Sequence, residues 1–460
     1  MRDWTPERIA HVVGAHLVGA GEDGRGGQGF TRAVIDSREA GPGTLFVGLP
    51  GEHVDGGTFA GRALSQDCWG VLVGHEHAEE AWLTDPLPAG HILAVDDPLE
   101  ALQRLATAWR RELGAVVIGV TGSTGKTSTK DILTSMLRPT RRVVATPANR
   151  NTEIGLPLVI LDAPADTEVL VLEMAMRGQG QIAELATIAE PDIGVIVNVG
   201  PVHLELLGSI ENIAATKAEL IAGLPPGGTA VIPAGERLLD PHLRDDVTTV
   251  TYGPGGDVDD LGDITLSVSG AHMQSNALAA LAAARAAGVS PHGRVDVELS
   301  ALRGQRVHLA GDVVVIDDCY NANPMSMHAA LDELSASAGE DGGRLVAVLG
   351  DMLELGPDER RFHAEVGAHA RYREVDLLVT VGPLAANMAP PFGGSVLMAD
   401  DAVQAADLLS QHLEPGDTVL VKASRGVGLE VVSERLRASW RPPPSSAGPD
   451  VPSSAPEPSA

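Results

Sequence analysis

The run Thr121-Gly122-Ser123-Thr124-Gly125-Lys126-Thr127-Ser128 sits between the apolar segment AVVIGV (115–120) and a stretch of helical character reaching about Leu137. These residue types, in this order, suit a grip on phosphate. Gly122 and Gly125 let backbone N–H groups approach phosphate oxygens, Ser123 and Thr124 lie between them, and the following helix adds the positive end of its dipole. Lys126 can reach the β- and γ-phosphates, and the Thr127 hydroxyl can ligate Mg²⁺, with Ser128 beside it. The strict glycine-rich motif fails at its first position, where Val120 stands. The strand–GKT–helix context still reads as a nucleotide site.

Two further residues follow apolar segments at places where parallel sheets gather ligands: Glu173 closes VLVLE, and His203 comes after IGVIVNVGPV. A carboxylate and an imidazole there could hold a divalent ion on the phosphates, although hard Mg²⁺ prefers oxygen and makes the histidine the less obvious ligand. Either residue could equally be a cap or a satisfied polar group. Lysine occurs only at 126, 130, 217 and 422, so 29 of the 33 basic residues are arginine. The surviving lysines are candidates for work that needs a compact ammonium or a titratable amine. For Lys217 the plain alternative is a salt bridge to Glu211 or Glu219.

The elements that must position these groups follow from pattern and composition. At roughly 150 residues per domain, 460 residues suggest about three domains. Residues 1–97 mix short strands with Gly-rich turns and read as a small α/β module; DPLEALQRLATAWRRELG (97–114) has helical periodicity and could link it to the next. Residues 98–304 alternate apolar strands (115–120, 169–174, 193–199) with helices (212–224, 272–288), which argues for a P-loop ATPase-like domain with a mostly parallel sheet. Residues 305–440 hold a second series of strands (313–318, 344–350, 377–382, 395–399, 417–423) and read as a doubly wound, Rossmann-like domain. Residues 441–460 are Pro/Ser/Ala-rich and read as a disordered tail.

The balance of 33 basic and 62 acidic residues gives −29, so the chain carries no nucleic-acid footprint overall, and an anionic ligand must be met by locally placed cations and backbone amides. Cys68 and Cys319 are too few for a disulfide scaffold, which fits a reducing cytoplasm. No apolar run approaches ~18 residues, so no membrane insertion is expected.

A family resemblance rests on several segments in order: TGSTGKT, NRNTEIGLPL (149–158), LEMAMRGQGQIAEL (172–185), NVGPVHLELLGS (198–209), ATKAEL (215–220), HMQSNALAA (272–280), DDCYNANPMSM (317–327), GDMLELG (350–356) and VKASRG (421–426). Together they resemble the Mur ligases over roughly 30–440, with DSREAGPGTLFVGLPGE (36–52) and DGGTF (55–59) similar to the family's N-terminal domain. The resemblance implies a cytoplasmic, monomeric ligase. It would use ATP and two Mg²⁺ ions to join D-alanyl-D-alanine to a UDP-N-acetylmuramoyl-tripeptide through an acyl phosphate. It further implies that Thr127, Glu173, His203 and a carbamylated Lys217 serve the metals. Asn276 would contact adenine, Asp318 the ribose and Arg306 the phosphates, with Asn321 and Asn323 in a nucleotide-contact loop. Ser37, Arg38 and Asn151 would meet the UDP-sugar peptide; Lys422, Ser424 and Arg425 would meet the incoming carboxylate.

Thr152, Ala218, Cys319 and Ala423 depart from the family's usual residues, which leaves fine substrate contacts open. A related ligase with another amino acceptor and a folylpolyglutamate synthase remain alternatives, with YNANP arguing against both. A P-loop kinase or NTPase switch would use the same GKT loop but would not need the flanking α/β modules.

Overall fold

The apolar runs form three large sheets, beside a two-stranded one of Thr265–Leu266 and Arg294–Val295, in a computed structural model that describes residues 4–18, 29–83, 90–337 and 343–440; the expected tail 441–460 lies outside the described residues. The first sheet has the order His16–Val18, His91–Val95, Gly70–Gly74, Thr44–Val47, Arg32–Val34. Its strands are parallel except the edge strand His16–Val18. The second sheet is parallel throughout: Thr248–Tyr252, Thr229–Pro233, Ile193–Ile196, Val116–Thr121, Val169–Glu173, Val143–Ala145. The third runs Gln305–His308, Val314–Asp317, Thr418–Lys422, Leu345–Gly350, Leu377–Val381, Ser395–Ala399, with only Gln305–His308 antiparallel. The mixed α/β class and mostly parallel pairing agree with the apolar patterning.

Two compact units divide the chain. Of the described residues, the first holds those up to 301 together with 354–357, and with them the first two large sheets; the second holds 302–353 and those from 358 to 440, and with them the third.

Within the first unit, helix Pro98–Leu113 is the common wall of two layers. Asp97 caps it, accepting from Leu99 N at 2.8 Å and Glu100 N at 3.0 Å; Pro98 opens it, and Gly114, at φ 61°, closes it. Its buried face, Ala101, Leu102, Leu105, Ala106 and Trp109, belongs to a core that includes Leu45 and Leu72 of the first sheet and Leu170 of the second. Each such leucine contributes about 1.5–3 kcal/mol by leaving water. Trp109 Nε1 donates to Ala163 O at 3.0 Å, so the indole is satisfied as well as buried. The segment read as a possible link between the two modules packs into the core of both.

Candidate active site

Strand Val116–Thr121 lies between Val169–Glu173 and Ile193–Ile196, and the loops leaving these three strands converge at their carboxyl ends, where the strand order reverses. The loop after the middle strand is fastened to the segment leaving its neighbour. Thr124 N donates to Asn198 Oδ1 at 2.9 Å, and Asn198 Nδ2 donates to Thr124 Oγ1 at 2.9 Å. Ser123 N donates to Asn198 O at 3.2 Å, and the Ser123 hydroxyl donates to Gly200 O and accepts from Gly200 N, both at 2.9 Å. Tyr252 donates to Val197 O; burial pushes its phenol pKa up, so it remains a donor.

Glycine is required here by geometry. Gly125 caps helix Lys126–Leu137 at φ 74°, and a Cβ there would lie 2.5 Å from Asn276 Oδ1. This puts the buried Asn276, on helix Ala271–Ala286, directly against the loop. A Cβ on Gly122 would lie 2.9 Å from Val197 Cβ. Lys126 Nζ donates to Gly122 O at 2.8 Å and so folds over the loop it belongs to. The arrangement gives backbone N–H groups, a helix N-terminus and an ammonium around one concavity, a fitting receptor for phosphate.

Beside the loop, Thr127 Oγ1 donates to Glu173 Oε2 at 2.9 Å, and Asn151 Nδ2 donates to Glu173 Oε1 at 2.8 Å. Glu173 is only 2% exposed, and among the described residues no cation pairs with it. A buried carboxylate with no compensating charge, next to a hydroxyl, is a hard-oxygen donor set that fits Mg²⁺.

His203 adopts φ 53° at the start of the short helix Leu204–Leu207, with Nδ1 2.6 Å from Oε2 of Glu354 in the same unit. Burial holds its pKa below the usual range; Glu354 opposes this, and the charges of Lys126 and Lys217 add to it. Lys217, on helix Ile210–Ala222, is 1% exposed. Burial, then the charge of Lys126, sets its pKa well below that of free lysine. Among the described residues no hydrogen bond or ion pair reaches its side chain. The salt-bridge alternative finds no partner: Glu219 accepts instead from Gly180 N at 2.7 Å and Ala183 N at 3.0 Å.

The other candidates fall into separate groups. In the first unit, Ser37 is buried at the head of the turn Ser37–Glu39, and Arg38 pairs with Asp36 at 2.5 Å. Hydrogen bonds from Arg38 hold the Asp36 carboxyl down at about 2. In the second unit, Lys422 Nζ donates to Asp318 Oδ2 at 2.6 Å and to Asn321 O at 3.0 Å, which joins two residues that the resemblance assigns to different ligands. Asn323 caps helix Pro324–Ala336 reciprocally with Ser326. Ser424 Oγ accepts from Leu353 N at 2.9 Å, and Ser424 N donates to Asp351 O at 3.1 Å. Arg306 donates to Ser337 Oγ at 2.8 Å, and Arg425 pairs with Glu430 at 3.0 Å.

Several residues that shape the site escaped the sequence reading. Asn198 and Thr146 lie next to strand ends, where a polar residue looks like an ordinary cap. His363, fully buried, accepts from Met352 N at 2.9 Å and so braces the GDMLELG loop.

Comparisons with known proteins point to one family. The Mur ligase middle domain matches residues 120–263, and the Mur ligase glutamate ligase domain matches 302–425. A UDP-N-acetylmuramoyl-tripeptide--D-alanyl-D-alanine ligase of Mycobacterium bovis is 37% identical, with 95% of this chain and 98% of that protein covered. Among solved structures, MurF from Acinetobacter baumannii superposes with a TM-score of 0.81 at 25% identity, covering 95% of this chain and 99% of that one. MurF from Thermotoga maritima in complex with ADP gives 0.74 at 31% identity, covering 88% and 97%.

Proposed function

The chain belongs to the Mur ligase family, with the UDP-N-acetylmuramoyl-tripeptide--D-alanyl-D-alanine ligases, and from that premise we propose the chemistry its residues carry out. It joins D-alanyl-D-alanine to the tripeptide carboxylate of a UDP-N-acetylmuramoyl-tripeptide, a step of peptidoglycan precursor synthesis, and ATP is converted to ADP and phosphate. The observation that carries this reading is the Thr127–Glu173 pair beside the phosphate loop, in a chain so similar to named ligases over nearly all its length.

A carboxylate is a poor electrophile at neutral pH. A carboxylate oxygen attacks the γ-phosphorus, the bond to the ADP oxygen breaks, and an acyl phosphate forms. The amine of the dipeptide attacks its carbonyl carbon, and the tetrahedral intermediate expels phosphate as the amine loses its proton. The first step brings two anions together, so positive charge must be built in. Lys126 and the loop N–H groups provide it at the phosphates. Magnesium, held by Thr127 and Glu173 with His203 and a carbamylated Lys217 nearby, would supply further charge neutralisation. The low pKa of Lys217 supports the carbamate, because only a neutral amine takes up CO₂.

Asn276 is the proposed adenine contact in the first unit, where Ser37, Arg38 and Asn151 would hold the UDP-sugar peptide. In the second unit, Arg306, Asp318 and Asn321 would contact nucleotide, and Asn323, Lys422, Ser424 and Arg425 the remaining substrate. Mass spectrometry of a reaction containing ATP, UDP-N-acetylmuramoyl-tripeptide and D-alanyl-D-alanine tests the reading. A UDP-linked product heavier by the dipeptide less one water supports it; a product formed only with a single amino acid as acceptor would replace it with another Mur-type activity.

A further inference from the structure

We propose that Lys130 is a positioning residue that holds the Glu173 carboxylate in place through Thr146. Lys130 is one of the chain's four lysines, and the ligase chemistry above leaves it without a task. It lies on helix Lys126–Leu137, one turn after Lys126, and is only 3% exposed. Its Nζ donates to Thr146 O at 2.8 Å and Ser300 Oγ at 3.3 Å and pairs with Asp131 Oδ1 at 2.8 Å.

Thr146 in turn clamps the end of strand Val169–Glu173 at two points. Its N–H donates to Val171 O at 3.0 Å, and its hydroxyl oxygen accepts from Glu173 N at 2.9 Å. Glu173 then accepts from Thr127, which is on the same helix as Lys130. The bonds form a closed ring: Lys130 to Thr146, Thr146 to Glu173, Glu173 to Thr127, and back along the helix. A buried carboxylate fixed at both its backbone and its side chain keeps one orientation, which a metal ligand requires.

The shape of the socket explains why this position is lysine in an arginine-rich chain. An ammonium has three donors on one atom, and three acceptors on three different segments converge on it. A planar guanidinium would need a larger cavity and could not serve all three from one point. Ser300 adds a further tie, since Asp131 Oδ2 accepts from Ser300 N at 2.8 Å and Asp131 Oδ1 from Ser300 Oγ at 3.1 Å. The P-loop helix is thereby fastened to Ser300, next to Ala301, where the first unit's long segment ends.

The inference rests on the reading of Glu173 as the metal's carboxylate, and the test separates the two. Calorimetry measures ADP binding with Mg²⁺ and with EDTA, and thermal melts accompany it, for the unmutated chain and for Lys130→Met, Lys130→Arg, Thr146→Val and the Lys130→Met/Thr146→Val double variant. The unmutated chain is expected to bind ADP more tightly with Mg²⁺. Lys130→Met and Thr146→Val should each lose about 10-fold of that gain while binding ADP in EDTA as before, and the double variant should lose no more than either. Lys130→Arg should not restore it. Asp131→Asn, which keeps an acceptor beside Lys130, should lower the melting temperature yet keep the gain, as a merely structural role would not predict. A full Mg²⁺ gain in Lys130→Met, or additive losses in the double variant, would overturn the positioning role. If Lys130→Met does not fold, Thr146→Val and Lys130→Arg carry the same comparison. No Mg²⁺ gain in the unmutated chain would overturn the metal reading itself, and the inference with it.

Discussion

Thr127 and Glu173 come from the first turn of one helix and the end of one strand, and a hydrogen bond of 2.9 Å joins them, with the hydroxyl donating to the carboxylate. The pair separates two contributions at the phosphate site: Thr127→Ser keeps the hydroxyl, Thr127→Val removes it, and Glu173→Gln keeps an acceptor but removes the charge. Turnover should be nearly retained in Thr127→Ser and fall about 100-fold or more in Thr127→Val and Glu173→Gln. Steady-state phosphate release measures it; a Glu173→Gln variant as fast as the unmutated enzyme would show that the charge is idle.

Gly125→Ala meets two obstacles at once, φ of 74° and an Asn276 oxygen 2.5 Å from the new Cβ. It should abolish measurable ADP binding by calorimetry. Adding Asn276→Gly removes the clash but leaves the strain and also takes away the proposed adenine contact, so the double variant should bind ADP more weakly than Asn276→Gly alone, and equal affinity would contradict the backbone argument.

Acid stability should depend on His363. Its Nδ1 lies 2.7 Å from Glu359 O, a carbonyl that can only accept, so the proton is on Nδ1 and Nε2 is left to accept from Met352 N. Burial lowers its pKa below 6.5, with Glu359 opposing. The folded state therefore binds fewer protons than the unfolded chain below that value, and stability falls as pH drops through 6.5 until the folded pKa is passed. Gln reproduces one donor and one acceptor without titrating. His363→Gln should flatten the melting-temperature decline on acidification, and an unchanged slope would remove His363 from the account.

Lys217 should work as a carbamate and not as an ammonium. Lys217→Ala should lose most activity, and acetate or formate should restore part of it by replacing the lost anionic oxygen. Lys217→Arg should stay inactive, because a guanidinium cannot take up CO₂. Full activity in Lys217→Arg would contradict the carbamate.

The strands were legible because buried parallel strands are continuous apolar runs, and VLVLE and RLVAVLG need no partner to be recognised. The GKT loop was legible because its function depends on backbone and spacing. Contacts between distant segments were not. Nothing local in Asn198 tells that its amide holds Thr124, and nothing in Thr146 tells that its hydroxyl receives Glu173 N. Arg38, which the resemblance sets against the UDP-sugar peptide, is paired with Asp36. The scarcity of lysine was the one compositional clue that pointed at buried amino groups: Lys130, Lys217 and Lys422 are all buried.

The most direct test of the ligase assignment is phosphate release with each substrate omitted in turn and with ¹⁸O in the terminal tripeptide carboxylate. Sustained release should require ATP, the UDP-linked tripeptide and D-alanyl-D-alanine together, and one ¹⁸O should appear in the phosphate, because the acyl phosphate passes its bridging oxygen to it. Phosphate released at the same rate without the dipeptide, or released free of ¹⁸O, would contradict amide formation through an acyl phosphate.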